Sequence, residues 1–222
     1  MELKFSVDGL PVSNSGDEDF WCHLCQVHLY PNIYIPFLVS IFSGKAKPAS
    51  IDVYFTKFVD EINELHENGI DIAGKHFTVQ VKCIVRDTPA RAFCKNTVGH
   101  AGNHACERCT VKGTKKGIGR TVFLLVDSVE RSDESFRNQI QAPHRNGRTK
   151  LLDIRPNINM IFTFVLDFMH LCCLGIMKKL IEWWLSGDFI VRLGPRMRDL
   201  LSERMELLES QVPCEFTENL RH

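Results

Sequence analysis

Residues 77 to 89 read Phe77-Thr-Val-Gln-Val-Lys-Cys-Ile-Val-Arg-Asp-Thr-Pro89. Apolar and polar side chains alternate from Phe77 to Cys83 and close on Ile84-Val85, the period-2 signature of a strand. The run stops at Arg86-Asp87-Thr88-Pro89, so an acid stands just past a strongly apolar strand. The same arrangement opens the chain. Glu2-Leu-Lys-Phe-Ser-Val-Asp-Gly-Leu-Pro-Val12 alternates as far as Val7 and breaks at Asp8-Gly9. If those two strands are neighbours, the Asp8 and Asp87 carboxylates converge at one sheet end.

Working outward, Trp21–Leu29 and Ile35–Phe42 read as two further strands, separated by Pro31-Asn32 and closed by Ser43-Gly44. With the first strand they suggest an antiparallel meander. Ser50 is a good helix N-cap; Ile51, Phe55, Phe58, Val59, Ile62 and Leu65 then share one helical face, and Gly69 is the stop. A short helix fits Ala90–Lys95. Residues 96–120 form a Gly-, His-, Lys- and Cys-rich excursion, Val122–Val126 reads as a strand, and 127–158 as a polar, irregular connection. Asn159–Val165 is β-rich, Asp167–Leu185 reads as a helix stopped by Gly187, and Pro195–Gln211 as a second helix. Three strands, helix, strand, excursion, strand and helices predict a mixed α/β fold, a mixed sheet flanked by helices.

Lys+Arg and Asp+Glu are both 27, so the net charge is zero, while 44% hydrophobic and 24% charged residues exclude global disorder. A dedicated nucleic-acid module is usually visibly basic, so any DNA-reading surface is expected elsewhere. Nine cysteines occur with no secretory signal and no apolar run long enough to span a bilayer. Cys-x-x-Cys spacing in a reduced compartment points to metal before disulfide, which predicts an intracellular protein. A strand begins within the first eight residues and Glu215–His222 lacks a helix-closing signal, so both ends read as cut.

Hard divalent cations such as Mg2+ take oxygen ligands, and Asp8 with Asp87 would hold them; ordinary turn chemistry at Asp-Gly and Asp-Thr-Pro is the plainer alternative. Cys106 and Cys109 have zinc-knuckle spacing, with His100 and His104 just upstream, and unliganded loop cysteines are the alternative. Cys22 and Cys25 share the spacing inside a strand, where it points them to opposite faces and favours core packing. Asp167-Phe-Met-His170 opens a helix, so Asp167 reads as a cap first and a ligand second. The face formed by Met169, Cys173, Ile176, Leu180 and Trp184 reads as core.

Val7–Val12, Pro36–Pro48, Arg86–Phe93, Gly99–Cys109, Arg131–Phe136 and Leu166–Lys178, in that order, resemble transposase-domain proteins of animal genomes. These are distantly similar to the CACTA-type (CMC) DDE transposases, and the resemblance covers about residues 5 to 186. It implies a ribonuclease-H-like core with acids on the first strand, the fourth strand and a late helix. Asp8 matches the first acid and Asp87 the second. Cys106 and Cys109 match the Cys-x-x-Cys that follows the second acid, and Asp167 and His170 match its Asp-x-x-His, whose His would complete a zinc site. The third acid, normally Glu, has Glu182 as its first candidate; Glu203, Glu206, Glu209 or a residue past His222 are the others.

The implied activity is two-metal cleavage and joining of double-stranded DNA at transposon ends. It would use Mg2+ or Mn2+, with Zn2+ at the cysteine pair, no small-molecule cofactor and no membrane. The setting would be nuclear, and the working form a homo-oligomer. The implied division is 1–95 for the first part of the core, 96–158 for the Cys/His-rich insertion, 159–190 for the fifth strand and its helix, and 191–222 for a helical start of a further insertion. The alternative is a domesticated or decayed remnant without catalysis, a zinc-containing DNA- or protein-interaction module.

Overall fold

A computed structural model describes residues 1–12, 18–29, 34–117, 121–125, 127–209 and 211. The chain divides into two compact units, Met1–Asp167 and Phe168–His222.

In the first unit, β1 (Glu2–Pro11), β2 (Asp19–His28) and β3 (Phe37–Gly44) form the expected meander. β1 pairs antiparallel with β2 from Glu2↔His28 to Pro11↔Asp19, and β2 pairs antiparallel with β3. The first strand therefore does not break at Asp8-Gly9. Gly9 pairs with Trp21, and a Cβ there would sit 3.0 Å from the indole, so the glycine admits a close ring rather than a turn.

α1 (Ile51–Asn68) starts where Ser50 accepts from the Val53 amide and ends at Gly69, whose φ of 66° needs no Cβ. The expected strand at 77–85 is two elements. A small hairpin, β4 (Ile70–Ile72) with β5 (Lys75–Phe77), precedes β6 (Gln80–Arg86). β6 runs parallel to β1, and α2 (Thr88–Lys95) follows at once.

The excursion holds a two-residue hairpin, β7 (Thr114–Lys115) with β8 (Thr121–Val122). Val126, the end of the expected strand at 122–126, lies outside the described residues. The connection at 127–158 is more ordered than its polarity suggests. It contains α3 (Asp133–Arg137), held by a reciprocal Ser132/Ser135 capping box, and it buries Leu151, Leu152 and Ile154. The run at 159–165 is mostly turn, because the Asn159 side chain accepts from the Ile161 and Phe162 amides. Only β9 (Phe164–Leu166) is strand, and it adds parallel to β6. The result is a five-stranded mixed sheet of order β3-β2-β1-β6-β9 flanked by helices.

Phe55, Phe58, Val59 and Ile62 of α1 pack on Leu3, Phe5, Cys25 and Ile84 of the sheet. Phe5 meets Phe58 edge-on at 5.0 Å and 89°. Buried among these rings, His23 stacks on Phe55 at 5.4 Å; burial, helped by Arg86, pushes its pKa down to about 3. His144 is likewise buried and pushed down to about 4.

In the second unit, wide π-helical turns over Met169–Met177 run into α4 (Lys178–Ser186), and α5 (Pro195–Glu209) follows. No residue of Met169–Met177 or α4 is buried. The expected core face is corrected accordingly: Met169 and Ile176 are half exposed, and Met169–Met177 is too uniformly apolar for helical period to pick out an inner face. Among the described residues no helix is long and apolar enough to cross a membrane.

Two measurements follow from this core. Phe55 is 0% exposed, so Phe55→Ala should cost about 3–5 kcal/mol in denaturant unfolding; a loss below about 1 kcal/mol would contradict the packing. His23 and His144 stay neutral in the folded state while their unfolded counterparts protonate near pH 6.5. Stability is therefore full above that pH and declines as the pH falls towards 3–4, each histidine losing about 2 kcal/mol between pH 7 and 5. Thermal melts across this range check it, and His23→Leu should flatten the acid limb by roughly half.

Candidate active site

The last paired residues of β1 and β6 are Ser6↔Val85, and those of β6 and β9 are Arg86↔Leu166. Continued by two residues, the first register sets Asp8 level with Asp87. Continued by one, the second sets Asp167 level with Asp87. Asp87 keeps an extended backbone, φ −67° and ψ 169°, so the continuation holds there. Three carboxylates thus stand at the same end of three adjacent parallel strands, each about 4.8 Å from the next strand.

Each acid also has local work. Asp8 Oδ1 accepts from the Gly9 amide at 2.8 Å, and Asp87 Oδ1 caps α2 by accepting from the Ala90 amide at 2.8 Å. Asp8 is exposed, whereas Asp87 and Asp167 are half-buried. Asp167 directly follows β9, and the helical segment begins at Phe168.

Beneath this edge lies a buried cation. Arg86 is 2% exposed, its guanidinium sits 5.5 Å from the Phe55 ring, and none of its three side-chain nitrogens has a hydrogen-bond partner among the described residues. Burial lowers its pKa to about 9, while Tyr54, Asp8 and Asp87 act in the opposite direction.

The cysteine knuckle is pinned to the same end of the sheet. Between its cysteines, Glu107 accepts from Arg91 Nε at 2.6 Å, and Arg91 donates onward to the Arg86 carbonyl and the Thr88 hydroxyl. Arg108 donates to the carbonyls of Ile161 and of Phe164, the first residue of β9. The Cys106 and Cys109 sulfurs lie 3.4 Å apart as free thiols. Burial, reinforced by Cys106, holds the Cys109 thiol above its ordinary range. Two 2.3 Å bonds to a tetrahedral zinc would set the sulfurs about 3.8 Å apart, so the pair fits half of such a site. The His104 backbone carbonyl meets the His144 ring nitrogen Nδ1 at 2.6 Å.

His170 and Glu182, both exposed, belong to the second unit. Cys22 and Cys25 are both buried; Cys25 is in the core cluster opposite Phe5, and Cys22 pairs with Asp8. Among the described residues no group of three or more His, Cys, Asp or Glu side chains is close enough to hold a metal ion. Arg86, Arg91 and Glu107 went unmarked in the sequence, where a charged residue beside a turn reads as solvated surface. The one available signal was two arginines flanking Asp87 at positions 86 and 91.

Breaking the buried Arg91–Glu107 pair from one side, with Arg91→Met or Glu107→Met, should destabilise by about 3–5 kcal/mol, and the double replacement by less than the sum. Urea melts of the three variants decide it; strictly additive losses would refute the coupling. No family model, curated protein or solved structure matches this chain.

Proposed function

We propose that the chain carries most of the catalytic core of a cut-and-paste DNA transposase, built on a ribonuclease-H-like fold. The observation that carries this reading is the common level of Asp8, Asp87 and Asp167 at one end of adjacent parallel strands. The resemblance of the sequence to DDE transposases asks for acids on the first and fourth strands. Here the first and fourth strands of the sheet are neighbours and parallel. A three-stranded meander continued by two parallel strands is compatible with a ribonuclease-H-like core.

Asp8 and Asp87 would hold Mg2+ or Mn2+, with Asp167 one strand further along the same edge. Mg2+ is commonly held by one or two carboxylates, with water and substrate phosphates completing its shell, so two acids one strand apart suit it. When bound, a divalent ion there neutralises charge on the phosphodiester and makes the attacking oxygen more acidic. Asp87, fixed by its capping bond, keeps one oxygen engaged with α2 and its carboxylate in place. No side-chain nucleophile is required, so the thiols and hydroxyls of the chain have no covalent role. Cys106 and Cys109 would hold Zn2+. The substrate would be double-stranded DNA at transposon ends, in the nucleus, bound by a homo-oligomer.

A second reading, a remnant that keeps the fold without the chemistry, is favoured by one observation. Asp87 is already used as a helix cap beside a buried cation, and a carboxylate so engaged serves folding without any metal.

Purified protein with Mg2+ or Mn2+ should nick a labelled DNA duplex. Asp8→Asn and Asp87→Asn should each lower the rate by more than about a hundredfold, and Asp167→Asn should lower it as well. No cleavage by the unaltered protein, or cleavage by both variants at the unaltered protein's rate, overturns the enzyme reading. Elemental analysis should find one zinc per chain, lost in Cys106→Ser; protein isolated without zinc under reducing, chelator-free conditions would refute the zinc assignment.

A further inference from the structure

We propose that β3 and the adjoining stripe of α1 are the surface on which a second copy of this chain docks, edge strand against edge strand about a two-fold axis. The inference rests on the function proposed above for the homo-oligomer and goes beyond it by naming the surface.

β3 is the last strand on its side of the sheet, paired with β2 alone. Every second backbone N–H and C=O along it therefore points away from the sheet, and among the described residues no backbone group of another element meets them. Such an edge is a template for a further strand, which is why folded proteins usually shorten it, charge it or cover it. β3 does little of this. It is eight residues long, Phe37-Leu-Val-Ser-Ile-Phe-Ser-Gly44, without a charge or a proline. Its one irregularity falls at Val39, which has no partner on β2, and residues 40–44 beyond it pair regularly.

The side chains carry the same message on both faces. Phe37 and Phe42 stand level with Cys25 and Trp21 on the α1 side, where Phe42 meets the Tyr54 ring edge-on at 6.3 Å. Leu38 and Ile41 stand level with Leu24 and Cys22 on the other side. All four are exposed, Ile41 by 50%, and so is Val53 of α1, by 78%. Together with Val39 they leave on the order of 500 Å² of apolar side chain uncovered around one edge, more than half of the about 800 Å² that each partner covers in a stable interface.

A groove of about 380 Å³ lies between β3 and α1, and Val53, Lys57 and Glu61 line its helical wall one turn apart. Lys57 and Glu61 are both exposed, and among the described residues neither takes part in an ion pair. These two charges select the occupant. A two-fold axis beside the groove brings Lys57 of one copy towards Glu61 of the other, and the contact recurs on the far side of the axis. A partner carrying one sign of charge would instead repel one of the two. Antiparallel pairing also sets Lys45 and Lys47, which follow β3, at opposite ends of the joint sheet, whereas parallel pairing would stack them.

The test is sedimentation of the whole chain at tens of micromolar, without metal or DNA, together with amide hydrogen exchange at low and high protein concentration. The unaltered chain should sediment as a dimer. Its β3 amides should exchange more slowly at the high concentration, while those of β9 do not change. Ile41→Lys should weaken the dimer at least about tenfold. Lys57→Glu should weaken it as well, and Lys57→Glu combined with Glu61→Lys should restore it, because the reversed pair meets again across the axis. A chain that stays monomeric leaves the edge to some other partner and overturns the inference. So does a dimer that Ile41→Lys and Lys57→Glu leave unchanged, or one whose concentration-dependent protection falls outside β3. Should Ile41→Lys fail to fold, the exchange of the unaltered chain and the charge reversal decide. A dimer that does not cleave DNA leaves this inference standing and defeats the enzyme reading; a monomer that cleaves DNA does the reverse.

Discussion

Arg91 reaches three ways from α2: to the Glu107 carboxylate at 2.6 Å, to the Arg86 carbonyl at 2.8 Å and to the Thr88 hydroxyl at 3.1 Å. Those bonds tie the end of β6, the first turn of α2 and the middle of the Cys-x-x-Cys knuckle into one buried unit. Both charged partners are almost fully enclosed, so neither can be left without the other except at a cost of several kcal/mol. The position of Asp87 and the position of the cysteine pair are thus two outcomes of a single ion pair. Arg108 repeats the device on the next strand, gripping the Phe164 carbonyl, and Arg131 donates to the Cys106 carbonyl.

The charge balance of the whole chain hides this arrangement. Net charge is zero, yet among the described residues four buried cations, Arg86, Arg91, Lys95 and Arg131, accompany one buried carboxylate, Glu107. Aromatic rings carry part of the difference. Lys95 lies over Phe136 at 5.3 Å and Phe164 at 5.6 Å, and burial lowers its pKa to about 8. The interior of the first unit therefore holds more buried cations than buried carboxylates among the described residues.

Much of the scaffold was legible in the residues. Strand alternation and the Ser50-to-Gly69 helix place β1, β2, β3 and α1; Asp87 does follow its strand, whereas Asp8 lies inside β1, which runs on to Pro11. The expected strand at 77–85 concealed a break, because apolar alternation continues across Thr78-Val79 while the backbone leaves one hairpin and enters another strand. The β-rich run at 159–165 yielded only three strand residues, since Asn159 spends its side chain on a turn that composition cannot reveal. Asp167 read as a cap because a helix follows it; its level with Asp87 depends on a pairing 80 residues distant, between Ile84 and Phe164, that no local pattern encodes. Buried ions are the least legible class. Nothing in Val-Arg-Asp or Cys-Glu-Arg-Cys distinguishes a solvated arginine from an enclosed one.

That distant pairing also has a consequence in time. β1, β2 and β3 join through short connections, whereas β9 reaches β6 only after the excursion and the segment carrying Leu151 and Leu152 have been gathered in. Closing so large a loop costs entropy before any contact repays it, and parallel pairing of this kind is slow. The meander and α1 can therefore form early, and the strand that delivers Asp167 docks last, a sequence of events that pulsed hydrogen exchange would register as late protection of the β9 amides. A chain caught midway would carry two of its three edge carboxylates in place while the third waits on the slowest step.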